Sequence, residues 1–262
     1  MLNLTDMKLR RRLGRAPLAA LWLSMGSTAI AELAVAHTDA VVIDMQHGLW
    51  DRIGLESVVG LIGDNAPVLV RVAENTPTAI GQALDSGAEG IIVPLIESGG
   101  EAALAVGAAR FPPQGRRSGG GVRPLAGDFL AYCAIANERT VVGVMIETKR
   151  GIDNAAEIAR TPGLDFILIG TGDLSLSLGL SPEAANRHED GCRAVLAACR
   201  TAGIACAIYT ASTAQAVARS REGYAMVIAA NDISVVVDGF KNAALQFKEG
   251  VAQGDPSSRD PT

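Results

Sequence analysis

The chain has 262 residues, 48% of them hydrophobic but only 4% aromatic, and a formal net charge of −5. That length suits one α/β barrel, and the acidic balance argues against sequence-independent binding of nucleic acid, which needs a basic patch. No segment reaches the roughly 18 uninterrupted apolar residues of a membrane span, and the four cysteines, Cys133, Cys192, Cys199 and Cys206, form no C-x-x-C pair and read as free buried thiols of a cytoplasmic protein.

The basic cluster Lys8, Arg10, Arg11, Arg12 and Arg15 reads as a solvated first helix. The apolar stretch 16–36 imitates a secretory signal ending in Ala34-Val35-Ala36, but Ser24, Gly26, Ser27, Thr28 and Glu32 interrupt it. It reads instead as a strand over 18–24 and a helix near 28–37. Further strands are expected at 40–46, 67–72, 90–96, 141–147, 166–170, 204–210 and 226–230. Helical patterns fall between them near 51–63, 76–87, 98–110, 151–160, 182–202 and 212–222, with a last one near 234–249 and a short one near 127–137. Eight strands alternating with helices imply parallel crossovers that close into a (β/α)8 TIM barrel. An open doubly wound sheet is the alternative, but the first turn, Ser24-Met25-Gly26-Ser27, lacks its G-x-G-x-x-G signature. One domain is expected over 1–250, with a polar tail at 251–262. The stretch 111–124, FPPQGRRSGGGVRP, is the one long loop, of a kind that is functional or disordered.

A barrel carries its active site at the carboxyl ends of the strands. Strand two runs into Asp44 and His47, strand three ends on Arg71, strand five on Glu147, and strand six runs into Gly170-Thr171-Gly172-Asp173. Glu147 and Asp173 end neighbouring strands, which lie about 4.8 Å apart. Two carboxylates that close share a cation or a proton, or pair with basic neighbours such as Lys149 and Arg150. Oxygen ligands suit Mg²⁺, Mn²⁺ or Co²⁺. The glycine-bearing turn can bring backbone N–H groups against an anion. His47 can be held in one tautomer by Asp44 and act as a general base, or it can cap the loop before Gly48. Arg71 either meets a substrate anion or pairs with Asp44. His37 and His188 flank helices and read as structural. Of the four lysines only Lys149 lies near a strand end, past Glu147, so a Schiff-base mechanism is not expected.

These residues carry a resemblance. The segments LWLSMGS (21–27), VVIDMQHG (41–48), LVRV (69–72), IIVPLIES (91–98), RFPPQGRRSGG (110–120), VMIETKRGIDN (144–154) and LIGTGDLSLSLG (168–179) resemble the HpcH/HpaI family of metal-dependent pyruvate aldolases. The resemblance implies a barrel of the phosphoenolpyruvate/pyruvate-binding type. It implies a class II aldolase that reversibly cleaves a 4-hydroxy-2-keto acid to pyruvate or hydroxypyruvate and an aldehyde. Glu147 and Asp173 match its divalent-metal ligands, and Asp44 with His47 the dyad that moves the aldol hydroxyl proton. Arg71 matches the arginine at the keto oxygen and enolate. The amides of Gly172 and Asp173 match the carboxylate cradle, Trp22 falls at the substrate, and Arg117 lies in a loop that contacts substrate or a neighbouring subunit. A homo-hexamer built as a trimer of dimers is implied too, with the last helix packed on a neighbouring barrel. Gln46 stands where better-known members carry Glu, Met145 where several carry Gln, and Thr171 where Pro is common; none of these removes a metal ligand. Two other readings are a citrate-lyase-β-like CoA-thioester lyase using Arg116, Arg117 and Arg123, and a non-catalytic barrel that binds keto acid or metal.

Overall fold

Eight parallel strands close into a barrel in chain order: β1 (Leu18–Leu23), β2 (Ala40–Asp44), β3 (Val68–Arg71), β4 (Gly90–Val93), β5 (Val141–Ile146), β6 (Phe166–Ile169), β7 (Ala205–Tyr209) and β8 (Met226–Asn231), which pairs back with β1. The computed structural model describes residues 8–63 and 65–254. Around the barrel run α1 (Lys8–Arg12), α2 (Thr28–Val35), α3 (Arg52–Ile62), α4 (Pro77–Asp85), α5 (Gly99–Ala109), α6 (Val122–Leu125) and α7 (Phe129–Arg139). They are followed by α8 (Lys149–Asp153), α9 (Ala155–Ala159), α10 (Thr171–Leu178), α11 (Pro182–Ala202), α12 (Thr213–Glu222) and α13 (Asp232–Gly254).

Local sequence explains most helix starts. Ser27, Asp51, Thr76, Ser98, Asp128, Thr148, Ser181 and Ser212 each accept a backbone N–H three residues on, satisfying a donor that the helix leaves unpaired. The strands are buried on both faces, as runs of Val, Ile and Leu require. One core lies between strands and helices; the other fills the barrel with Ala20, Val42, Leu69, Ile92, Met145, Phe166, Leu168 and Ile228. Gly143 makes room for it, since a Cβ there would sit 2.1 Å from the Phe166 ring.

The first helix is not a solvated one. Leu9 is fully buried in the barrel core and its N–H donates to Glu89 Oε1 at 2.6 Å. Arg10 pairs with Asp165 at 2.5 Å, and Arg12 pairs with Asp39. The basic residues close the amino-terminal end of the barrel because the strands begin there with acidic partners.

Four further elements differ from the sequence reading. The helix expected near 151–160 is two, α8 and α9, broken at Asn154. The turn expected after strand six is the first turn of α10, with Gly170 at its N-cap. The loop 111–124 includes α6 and stays on the chain's own outer surface: Arg117 pairs with Asp85, the last residue of α4, and stacks on Phe111, while Arg123 reaches Glu56. Of the expected tail, 251–254 belongs to α13 and 255–262 lies outside the described residues.

Register sets the site. Asp44 stands opposite Arg71 across β2 and β3. Ile146 stands opposite Ile169, which brings Glu147 level with Gly170 one residue beyond each strand.

Candidate active site

Asp44 is the most heavily bonded side chain at the carboxyl end of the barrel. Its Oδ1 accepts from Arg71 Nε at 2.8 Å and from the backbone N–H groups of Gln46 and His47 at 3.1 and 3.2 Å. Its Oδ2 accepts from Arg71 Nη2 at 2.7 Å and from Trp22 Nε1 and Ser24 Oγ, both at 3.2 Å. Burial alone would push this carboxyl up, but the Arg71 guanidinium and the other donors outweigh it and hold Asp44 below the usual carboxylate range. Trp22 completes the unit, with its ring 4.8 Å from the Arg71 guanidinium carbon.

The link between Asp44 and His47 therefore differs from the expected dyad. Asp44 holds the backbone of His47, not its imidazole, and its oxygens are already filled by six donors. The His47 side chain is exposed at the rim. Asp44 is an anchor for Arg71 and for the turn that carries His47.

Glu147 presents the opposite case. It is 1% exposed, its Oε1 accepts the backbone N–H of Leu95 at 2.8 Å, and its Oε2 is buried with no hydrogen-bond partner. Burial, offset in part by the Leu95 N–H and reinforced by the nearby negative charge of Asp173, raises its carboxyl to about 7. A buried carboxylate with an unfilled oxygen needs a proton or a cation. Gly170 leaves space beside that oxygen: a Cβ there would sit 2.7 Å from Glu147 Oε2. Asp173, exposed on the first turn of α10, is the second carboxylate. Among the described residues no three His, Cys, Asp or Glu side chains converge. The site thus offers a cation two protein carboxylates, which suits a hard, octahedral ion that keeps positions for water and substrate.

A cavity of about 210 Å³ ties these groups together, lined among others by Trp22, Asp44, His47, Arg71, Met145, Gly172 and Asp173. A larger open groove of about 880 Å³ between α10, α11 and α12 adjoins it at Thr171, Gly172 and Tyr209, but neither Asp44, Arg71 nor Asp173 lines it. The smaller cavity is the candidate site because Asp44, Arg71 and Asp173 line it together.

The structure brings Trp22, Asp44, His47, Arg71, Gly172 and Asp173 to one cavity, with Glu147 behind Gly170. It leaves Arg117 elsewhere in its own chain, its side chain 1% exposed against Asp85. Trp50, just beyond the turn that carries His47, is buried with its Nε1 donating to the Leu23 carbonyl. His188 braces α10, its Nε2 3.2 Å from the Thr171 carbonyl. Sequence reasoning missed Leu95, because a backbone donor has no side-chain signature. Asp232, just past the end of β8, accepts the N–H groups of Ser24 and Met25 and so holds the turn after β1. Tyr209, at the end of β7, packs edge-on against Trp22 with ring centroids 5.4 Å apart.

Comparison with known proteins gives consistent matches. Residues 19–238 match the family described as HpcH/HpaI aldolase/citrate lyase. A hydroxypyruvate/pyruvate aldolase of Paraburkholderia phytofirmans is 34% identical over 246 residues, spanning 88% of this chain and 94% of that protein. A 4-hydroxy-2-oxovalerate aldolase of Rhodococcus jostii is 35% identical, spanning 70% of this chain and 74% of that one. The crystal structure of an HpcH/HpaI aldolase/citrate lyase family protein from Burkholderia cenocepacia superposes with a TM-score of 0.88 at 34% identity, covering 93% of this chain and all, 100%, of the other.

Proposed function

The chain belongs to the HpcH/HpaI aldolase/citrate lyase family, and on that premise we propose that it is a class II aldolase cleaving a 4-hydroxy-2-keto acid to pyruvate or hydroxypyruvate and an aldehyde. The observation that carries this reading is the unpartnered, buried Oε2 of Glu147 next to Gly170, which lines one cavity with Arg71 and Asp173. Glu147 and Asp173 would hold a divalent cation, Mg²⁺, Mn²⁺ or Co²⁺, which supplies a Lewis acid for the keto oxygen of the substrate.

The chain's own residues do the rest. The N–H groups of Gly172 and Asp173, in the first turn of α10, bind the substrate carboxylate. Arg71 has Nε and Nη2 engaged by Asp44, which leaves Nη1 to put positive charge beside the oxygen where the enolate forms. His47 takes the proton of the 4-hydroxyl. The C3–C4 bond then breaks, its electron pair passes to the enolate, C4 leaves as the aldehyde carbon, and return of a proton to C3 gives the keto acid and restores neutral His47. Trp22 keeps the Asp44–Arg71 pair in place and walls the donor pocket. Met145, 3% exposed, gives that pocket an apolar floor.

Of the three loop arginines that a CoA-thioester lyase would use for the nucleotide, Arg117 and Arg123 are engaged by Asp85 and Glu56, and only Arg116 is exposed. A non-catalytic barrel leaves the exposed His47 and the tethered Arg71 without a use. A homo-oligomer, a hexamer in this reading, is supported by α13: from Ser234 to Val251 none of its side chains is buried, and Phe240 and Phe247 are 75% and 73% exposed. A cytoplasmic location is part of the same proposal; among the described residues no helix is long and apolar enough to cross a membrane.

The decisive experiment needs no aldehyde. Pyruvate is incubated with the protein in D₂O and loss of the methyl proton signal is followed by NMR, with Mg²⁺ and with EDTA. Metal-dependent exchange is expected. Absence of exchange with pyruvate, hydroxypyruvate and other 2-keto acids would overturn the aldolase reading.

A further inference from the structure

We propose that Leu95 is a positioning residue for the metal carboxylate: its main chain is bent so that its N–H occupies Glu147 Oε1 and leaves Oε2 for the cation. The inference rests on the reading of Glu147 as a metal ligand and concerns how that ligand is held.

Among the described residues Leu95 is the only non-glycine with positive φ, at 56°. A branched side chain is strained in that region, and such strain gathers where the surroundings over-determine the backbone for a purpose. Packing of the Leu95 side chain does not supply the purpose, because it is 54% exposed. Its neighbours impose the bend. Pro94, just past the end of β4, is buried with its ring fixing φ. Ile96 is 1% exposed in the core, and its N–H donates to the Met145 carbonyl at 3.1 Å. Between these two anchors the chain turns at Leu95 and sends one N–H to Glu147 at 2.8 Å.

The consequence for Glu147 is chemical. A carboxylate on a rotatable stem can present either oxygen, or both, to an ion. A charge-assisted bond to one oxygen fixes the rotamer and assigns the other to the metal. Gly170, which has no Cβ, leaves free the space beside Oε2 that a side chain there would fill, at 2.7 Å. Glu147 is thereby prepared as a one-oxygen ligand before any ion arrives.

The test measures Mn²⁺ affinity by electron paramagnetic resonance on the full chain, so it does not depend on turnover. Replacing Leu95 by its α-hydroxy analogue converts the amide to an ester and deletes the N–H alone. Affinity is expected to fall about 10–100-fold, the range for loss of a partner that orients a ligand. Leu95→Ala, which keeps the N–H, is expected to bind within about threefold of the parent chain, as is Leu95→Gly, which tolerates the same φ. Unchanged affinity in the ester variant, or an equal loss in Leu95→Ala, would overturn the proposal and leave Glu147 as a ligand. Absence of Mn²⁺ binding by the parent chain would remove the metal reading itself, and the role of Leu95 with it.

Discussion

Asp44 grips Arg71 at two points, Oδ1 on Nε at 2.8 Å and Oδ2 on Nη2 at 2.7 Å, with both side chains at most 7% exposed. The pair makes Asp44 a buried anchor, which separates it from the exposed His47. Asp44→Asn leaves a buried guanidinium without its counter-charge, at a cost of about 3–5 kcal/mol. The melting temperature is then expected to drop by roughly 10 °C, together with activity. His47→Ala removes an exposed side chain, so kcat is expected to fall about 10²–10⁴-fold while stability stays within about 0.5 kcal/mol. Calorimetry and kinetics on the two variants check the split; equal stability loss in both would refute the anchor role.

Glu147→Gln and Asp173→Asn each remove a charged oxygen from the proposed cation. Metal-dependent deuterium exchange into pyruvate is expected to fall by at least about 10³-fold, since the ion contributes several kcal/mol of charge stabilisation. The NMR assay reads it directly, and exchange at the parent rate in either variant would exclude that residue as a ligand.

The raised carboxyl of Glu147 sets a pH dependence for the metal-free protein. Its pKa rises from an ordinary 4.5 to about 7 on folding, so between those values the folded state binds the extra proton. Stability without metal is therefore expected to be greatest in this respect below pH 4.5 and to decline as pH rises towards 7. A cation replaces that proton, so the thermal shift on adding Mg²⁺ should be larger at pH 8 than at pH 5.5, each taken as a trial point about 1 to 1.5 units from the raised value. Glu147→Gln should flatten the slope; an unaltered slope in that variant would assign it to another group.

Gly170→Ala places a methyl 2.7 Å from Glu147 Oε2 and 2.6 Å from Met145 Cε. The methionine end can move aside, but the carboxylate is fixed by Leu95. Metal affinity is expected to fall about 10–100-fold with the fold intact. Isothermal titration with Mn²⁺ measures it, and undiminished affinity would mean that the carboxylate swings freely.

Arg10→Ala tests the closure of the barrel's amino-terminal end. Asp165 is 11% exposed and keeps only Arg110 as a charged partner once Arg10 is gone. A stability loss of about 1–3 kcal/mol is expected, with the exchange rate at saturating pyruvate unchanged. A matching loss of exchange would couple the two ends of the barrel.

The sequence by itself determined the eight strands, their order and most of the helices. Each of those rests on signals local to the chain: apolar runs of four to six residues, Ser, Thr or Asp before a helix, and glycine after it. It also placed Asp44, Arg71, Glu147 and Asp173 at strand ends, because polar residues that close an apolar strand stand out in one dimension. What it left open was which of them face each other. Arg71 could have met substrate or Asp44, and register across β2 and β3 decided for a bidentate pair. Glu147 could have paired with Lys149 or Arg150, but those engage Asp153 and Glu97, and its Oε2 stays unfilled. The plug formed by Leu9 and the bend at Leu95 were invisible, since both depend on contacts between residues far apart in the chain. Local preference writes the elements, whereas hydrogen-bond saturation of one carboxylate and starvation of the other exist only once the barrel has closed around them.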